Sequence, residues 1–355
     1  MMARQSDAID GVALLDKPEG VSSNHALQQL RRHLAAQKAG HGGTLDPMAT
    51  GLLLIAFGEA TKFAQAWLEA DKTYTFRVVF GVATDSGDAT GAVVRTAETS
   101  VTEAALHAVL PRFLGEIEQI PPMVSALKRD GKPLYRLARE GVTVAREPRQ
   151  VTIHRLECIA FDEAAQRAVL SATVSKGTYI RVLAEAIGAA LGAPAHVDRL
   201  HRDAVGPFSC DSALSLAAWC ALPSEYARAR LLPVDTLVRH LPAIALDSAQ
   251  AERFRHGQPV TLRERTNAHR LAAQSNSGVQ LRATERALSV RVYLRDGSGY
   301  RFLGVGEWQP QAGVLSPKRV VAKLLHSSPT LPEAIGNDVV WNRTFEDVKE
   351  YRYAG

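Results

Sequence analysis

The residue best placed to do chemistry is Asp46, set in the run Gly40-His41-Gly42-Gly43-Thr44-Leu45-Asp46-Pro47-Met48-Ala49-Thr50-Gly51-Leu52-Leu53. Glycine reaches backbone conformations that a Cβ resists, and it lets another molecule come close. Pro47 fixes its own φ and biases Asp46 to an extended conformation. The pattern predicts one carboxylate held on a stiff loop between apolar segments. Two other readings compete with a catalytic one. An Asp before Pro commonly forms an Asx turn ahead of a strand, and a Gly-rich loop can cradle phosphate. The phosphate reading lacks its spacing, because neither G-x-x-x-x-G-K-[ST] nor G-x-G-x-x-G occurs in this loop. His25, His33, His41 and His196 show no H-x-x-x-H or H-E-x-x-H spacing, so a metal-dependent hydrolase is not expected.

The elements that must position Asp46 follow from local pattern. Residues 11–16 read as a short buried strand, stopped by Lys17-Pro18-Glu19-Gly20. Ser22 or Ser23 can cap a helix whose apolar positions Ala26, Leu27, Leu30 and Leu34 recur at helical spacing. Gly51 to Phe57 reads as a buried strand. In the strand 73–80, Tyr74, Phe76, Val78 and Phe80 share one face. Thr84 to Asp88 reads as a loop, and Ser100 with Glu103 as a capping box before a helix. Strands are expected near 151–160, 167–175 and 197–205. A helix from about Tyr179 to Leu191 should close at Gly192.

No regular βαβ alternation is present, so the fold class is α+β with a mixed, mostly antiparallel sheet. Residues 10–240 are expected to form the main domain. Residues 241–322 form a small β-rich domain around the hairpin signal Asp296-Gly297-Ser298-Gly299. Within the second domain, 263–288 is polar and Arg-rich and reads as a mobile insertion. Residues 323–355 read as a tail of no clear pattern.

The 355 residues are 46% hydrophobic and 22% charged, which fits a globular protein and excludes wholesale disorder. No apolar run reaches the ~20 residues of a membrane span. Cys158, Cys210 and Cys220 have no C-x-x-C spacing, which fits a reducing cytoplasm and argues against a zinc site. The net charge of +5 is modest, but its distribution is informative. Lys128, Arg129, Lys132, Arg136, Arg139, Arg146, Arg149 and Arg155 face only Asp130, Glu140 and Glu147 in their stretch. Such a cluster is a solvated face or, among turn signals, a loop that reaches for nucleic acid.

The run Gly40 to Leu53 resembles the catalytic-loop signature of the TruB family of bacterial tRNA pseudouridine-55 synthases. Other segments resemble that family in order. Leu15 to Ser23 resembles its K-P-x-G opening, Gly58-Glu59-Ala60-Thr61-Lys62 its next motif, and Asp71-Lys72-Thr73-Tyr74 the strand bearing an active-site tyrosine. Ile120-Pro121-Pro122-Met123 through Lys128 resembles the start of an RNA-gripping insertion over 124–150. Ser175 to Arg181 resembles the arginine motif, and His196 to Leu200 a pocket-closing leucine segment.

The resemblance implies a pseudouridine synthase catalytic domain with a PUA-like C-terminal domain. It implies a cofactor-free, metal-free isomerisation of a flipped uridine in the T-loop of tRNA. Asp46 matches the nucleophile and Arg181 the arginine that pairs with it. Tyr74 matches the aromatic that packs on the target base, and Tyr179 and Leu200 match other pocket residues. His41 matches a histidine that contacts RNA beside the flipped base. Lys17 and Lys62 match motif lysines that touch phosphate or hold structure. The implied protein is a cytoplasmic monomer with tRNA as its partner, no membrane and no obligate protein partner. Alternatives are a relative working inside a guide-RNA particle and a non-catalytic tRNA-binding or folding protein.

Overall fold

Alternating apolar residues in strands such as Arg167–Val174 turn one face of the main sheet toward a core. The computed structural model describes residues 9–125, 127–129, 131–262, 287–297, 299–323 and 325. The chain divides into two units, up to Val234 and from Asp235 onward.

In the first unit, β1 (Gly11–Lys17) leads to α1 (Ser23–His33), whose N-cap Ser22 accepts from the His25 N–H. Then come β2 (Ala39–Gly42), β3 (Thr50–Phe57), α2 (Gln65–Glu69), β4 (Lys72–Phe80) and the short pair β5 (Val82–Thr84) and β6 (Val93–Thr96). Next are α3 (Glu103–Val109), β7 (Gly115–Gln119), the small pair β8 (Lys128–Arg129) and β9 (Lys132–Pro133), and α4 (Leu134–Arg139). The long strands β10 (Arg149–Asp162) and β11 (Arg167–Val174) precede α5 (Ile180–Ala190) and β12 (Ala195–Val205). The unit closes with β13 (Phe208–Ser209), β14 (Leu214–Ser215), α6 (Leu216–Ala221) and α7 (Ser224–Ala229).

These strands form one sheet in the order β14-β1-β3-β12-β4-β11-β10-β7, with β2 added to β3 and β13 to β12. All neighbours are antiparallel except β1–β14 and β3–β12. Phe76, Val78, Leu170, Leu183, Ile187 and Leu200 belong to one apolar core, and Leu15, Leu27, Leu30, Leu53 and Trp219 to another. The Asp46 loop contributes Leu45, Met48 and Ala49 to the first core and leads into β3, whose Leu53, Ile55 and Phe57 lie in the second.

The second unit holds β15 (Ala243–Leu246), α8 (Ser248–Arg255), β16 (Val260–Thr261), β17 (Leu288–Asp296), β18 (Gly299–Gln309) and β19 (Val314–Val320). They form a five-stranded sheet, β15-β17-β18-β19-β16, packed through Phe254, Val292, Leu303 and Leu315. The fold is therefore α+β, a large mixed sheet with a separate β-rich unit.

Three local expectations need correction. Gly40 to Gly42 belong to a strand paired with β3, so the Asp46 loop is shorter than its glycines suggest. The cap of α3 is Thr102, whose hydroxyl accepts from the Ala105 N–H; a hydroxyl directly before Glu103 displaces Ser100 from that role. Thr84 closes a strand, and only the residues after it turn. The proposed insertion 263–288, save its last two residues, and the tail, save 323 and 325, lie outside the described residues.

Candidate functional site

Asp46 sits four residues before β3, on a loop held from beneath. Lys17, fully buried, donates to the carbonyls of Pro18 (2.8 Å), Val21 (2.6 Å) and Pro47 (3.3 Å). The Gly20 N–H donates to the same Pro47 carbonyl at 2.8 Å. The K-P-x-G segment thus anchors the residue after Asp46, which makes Lys17 a structural lysine. Burial lowers its pKa to about 8, against the pull of Asp46 upward. The Asp46 carbonyl accepts from the Ala49 N–H at 3.1 Å, closing the turn through Pro47.

The carboxylate meets Arg181, at the start of α5. Arg181 Nη2 lies 3.0 Å from Asp46 Oδ2; the arginine side chain is 3% exposed and the aspartate 33%. Arg181 is itself immobilised. Nη1 donates to Ser86 O (2.7 Å), Nη2 to Val124 O (2.8 Å), and Nε lies 3.6 Å from Asp88 Oδ2. Asp88 is buried and accepts from Ser86 Oγ (2.8 Å), Thr90 Oγ1 (2.6 Å) and the Thr90 N–H (2.9 Å). One guanidinium therefore stands between two carboxylates, one buried and committed, the other partly open to solvent.

The electrostatics of Asp46 are a contest. Burial pushes its pKa above the ordinary carboxylate value. Arg181 pulls it down through charge and a hydrogen bond, Asp88 pushes it up, and Lys17 adds a weaker downward pull. Burial leads, so the carboxylate is a stronger base than a free aspartate and remains paired to a cation.

The other expected site residues fall into groups. Tyr179 occupies the N-cap position of α5, two residues before Arg181, with no side-chain cap hydrogen bond; burial raises its phenol pKa, with Ser125, Arg149 and Arg181 lowering it and Asp46 raising it. Its ring therefore lies within the field of the Asp46–Arg181 pair. Gln119 holds its backbone, accepting from the Tyr179 N–H (2.9 Å) and donating to the Tyr179 carbonyl (3.3 Å). Leu200, 8% exposed, shares an apolar cluster with Leu45, Met48 and Ile180, and half-buried Tyr74 packs on that cluster. Tyr74 lies opposite Arg202 across the β4–β12 pairing. His41 stands apart. It pairs with Ile55 in β2–β3, and burial, followed by the charge of Arg202, lowers its pKa. Lys62 pairs with Glu59 at 2.8 Å.

Sequence reasoning missed Asp88, Gln119, Ser23 and Arg202. Asp88 lay within a stretch read only as a turn, Ser23 was read only as a possible helix cap and as the end of the K-P-x-G segment, and Gln119 and Arg202 had no local signal. In the basic segment, Lys132, Arg136 and Arg149 are exposed, whereas Arg146 donates to Pro121 O at 3.2 Å and helps to hold the segment itself. Among the described residues, Glu103, His107 and Cys158 bring one donor atom each within 4.8 Å. Burial raises the Cys158 thiol to about 11, which disfavours the thiolate a metal would need. The trio lies on α3 and β10, elements that carry none of the residues around Asp46.

Residues 31–180 match the family described as TruB family pseudouridylate synthase (N terminal domain), and residues 242–321 match Pseudouridine synthase II TruB, C-terminal. A protein of Azoarcus sp. (strain BH72) named tRNA pseudouridine synthase B is 50% identical over 315 residues, covering 88% of this chain and 95% of that one. A Burkholderia mallei (strain NCTC 10247) protein of the same name is 50% identical over 320 residues, covering 90% and 99%. The fold is also seen in a chain of an H/ACA RNP bound to a substrate RNA containing 2′-deoxyuridine, at TM-score 0.62 and 22% identity, covering 87% of this chain and 84% of that one. A chain of a Cbf5-Nop10-Gar1 complex gives TM-score 0.63 at 24% identity, covering 89% and 85%.

Proposed function

This chain belongs to the TruB family of pseudouridylate synthases and isomerises uridine to pseudouridine in tRNA; from that premise we propose that its target is the T-loop uridine at position 55 and that Asp46 is the nucleophile. The observation that carries the assignment is the Asp46–Arg181 pair, 3.0 Å apart, with the arginine buried and the carboxylate partly exposed. The reaction must break the N-glycosidic bond, turn the uracil, form a bond from carbon five to the sugar, and release the proton of carbon five. Attack on carbon six of the base and attack on carbon one of the sugar both use an ionised carboxylate. Arg181 favours that ionised form and orients it.

Tyr74, Tyr179 and Leu200 are the apolar and aromatic groups that receive the flipped base. His41 contacts the RNA beside it. The uridine must leave its stack at a cost of a few kcal/mol. The exposed cations of 124–150 and the second unit offset that cost through backbone and shape contacts. The protein acts as a cytoplasmic monomer without metal or cofactor. Among the described residues no helix is long and apolar enough to cross a membrane.

The test is direct. Purified protein is incubated with unmodified tRNA and pseudouridine is mapped at single-nucleotide resolution. Product at position 55 from the protein alone is the expected result; a requirement for a guide RNA or protein partner overturns it. Asp46→Asn keeps size and removes the charge, and its single-turnover rate should fall by at least about 10³-fold while tRNA binding survives. Near-normal product in that variant would end the assignment of the nucleophile.

A further inference from the structure

We propose that Ser23 and Arg202 are positioning residues that brace the Asp46 loop from two sides and so fix where its carboxylate stands against Arg181. The inference rests on Asp46 being the nucleophile. Neither residue touches the carboxylate, and each acts on the backbone that carries it.

Arg202, in β12, is 1% exposed. Its Nε donates to Leu52 O at 2.7 Å and its Nη2 to Gly43 O at 3.0 Å. Those carbonyls lie on either side of Asp46 along the chain. A planar guanidinium is a rigid fork, so one side chain sets the span of the whole loop. Two glycines permit this approach. Gly43 has φ +74°, and a Cβ there would stand 3.3 Å from Arg202 Nη1. Gly51 has φ +99°, and a Cβ there would stand 2.4 Å from Arg202 O. Gly43 and Gly51 are thus accounted for by Arg202, whereas a Cβ at Gly42 would stand 2.8 Å from the Trp67 ring.

Ser23 holds the other side. It is 1% exposed, and its hydroxyl accepts from the Leu45 N–H (2.8 Å) and donates to the Leu45 carbonyl (3.0 Å). A hydroxyl has one proton to give, and here it goes to the residue directly before Asp46. The preceding serine, Ser22, already caps α1, so Ser23 is not needed there. The partner cannot follow a loop that slips, because Arg181 is tied to Ser86, Val124 and Asp88. A loosened loop therefore lengthens the Asp46–Arg181 contact, and losing the pull of Arg181 moves Asp46 toward protonation at higher pH.

The experiment compares Ser23→Ala and Arg202→Lys with the wild type and Asp46→Asn, in single turnover on unmodified tRNA from pH 5 to 9. An inactive, tRNA-binding Asp46→Asn secures the underlying reading; an active one overturns that reading and this inference with it. With the nucleophile secured, each brace variant should lose at least about 30-fold in rate, since a misplacement near 1 Å can cost about 10²-fold. KM for tRNA should stay within about threefold, and the acid limb of the rate profile should move to higher pH. A purely structural role lowers amplitude in step with the folded fraction and leaves that limb in place; such a result overturns the inference, as does a wild-type rate in either folded variant. If Arg202→Lys does not fold, Ser23→Ala decides alone, because it removes no charge and leaves the cap of α1 intact.

Discussion

As the proposed nucleophile Asp46 must be ionised to attack, and its burial works against ionisation. The sign follows from that. A pKa raised above the ordinary carboxylate value means that protons silence the enzyme earlier as pH falls. The acid limb of single-turnover rate should therefore lie above the ordinary aspartate range, and Arg181→Gln should move it higher still while lowering the plateau. A limb at the free-aspartate value, measured with tRNA saturating and intact, would show that the carboxylate is not desolvated in the working enzyme. The sequence made Asp46 visible because glycine and proline chemistry is local: Gly43 permits a positive φ and Pro47 restricts the backbone, both within a few residues of it. Arg181 came only through family resemblance, since an arginine at a helix start has no local mark of its partner. Asp88 was not legible at all. Its role depends on a pairing with Arg181 across a long stretch of chain, and nothing in Asp85-Ser86-Gly87-Asp88 distinguishes a buried acid from an exposed turn.

Elements were more legible than their contacts. The period-two pattern of β4 and the helical spacing of α1 both derive from burial on one face, and both formed where that pattern placed them. The errors lie where a tertiary partner overrides local preference. Gly40 to Gly42 pair with β3 because a neighbouring edge was open to them, and glycine composition carries no information about that edge. The basic segment between β7 and β10 is the element whose function is most exposed to test. Lys132 and Arg136 face solvent there, as does Arg149 at the start of β10. Replacing all three by Gln should weaken tRNA binding and flatten its dependence on salt, by about 2 in the log–log slope, because each lost phosphate contact releases about 0.7–0.9 fewer counterions. An unchanged slope in titrations from low to moderate salt would remove this segment from the RNA surface. Arg146 serves as the internal comparison. Its bond to Pro121 shapes the segment, so Arg146→Gln should alter the thermal stability or order of the segment more than the salt slope.

At the scale of the whole molecule, the question is how much of the 355 residues the reaction needs. The Burkholderia relative is 99% accounted for by 320 aligned residues, so this chain carries residues beyond what that protein uses. The C-terminal family match ends at residue 321. The described sheet of the second unit ends at about the same place: β19 ends at Val320, the Val321 N–H donates to Leu303 O at 2.9 Å, and Val321 is 1% exposed. A cut after His326 therefore spares every hydrogen bond described in the five-stranded sheet and every residue around Asp46. The truncated protein should unfold with the same midpoint as the full chain, and its modification rate should stay within about threefold, under ~1 kcal/mol of transition-state free energy. Its affinity for tRNA decides between two accounts of the removed residues. Equal affinity makes them dispensable to both binding and chemistry. A drop in affinity with single-turnover rate preserved at saturating tRNA makes them an RNA grip separate from the site. A loss of saturated rate beyond threefold in a folded truncated protein would contradict the division drawn above, because it would mean that residues outside both family matches act on the Asp46 site.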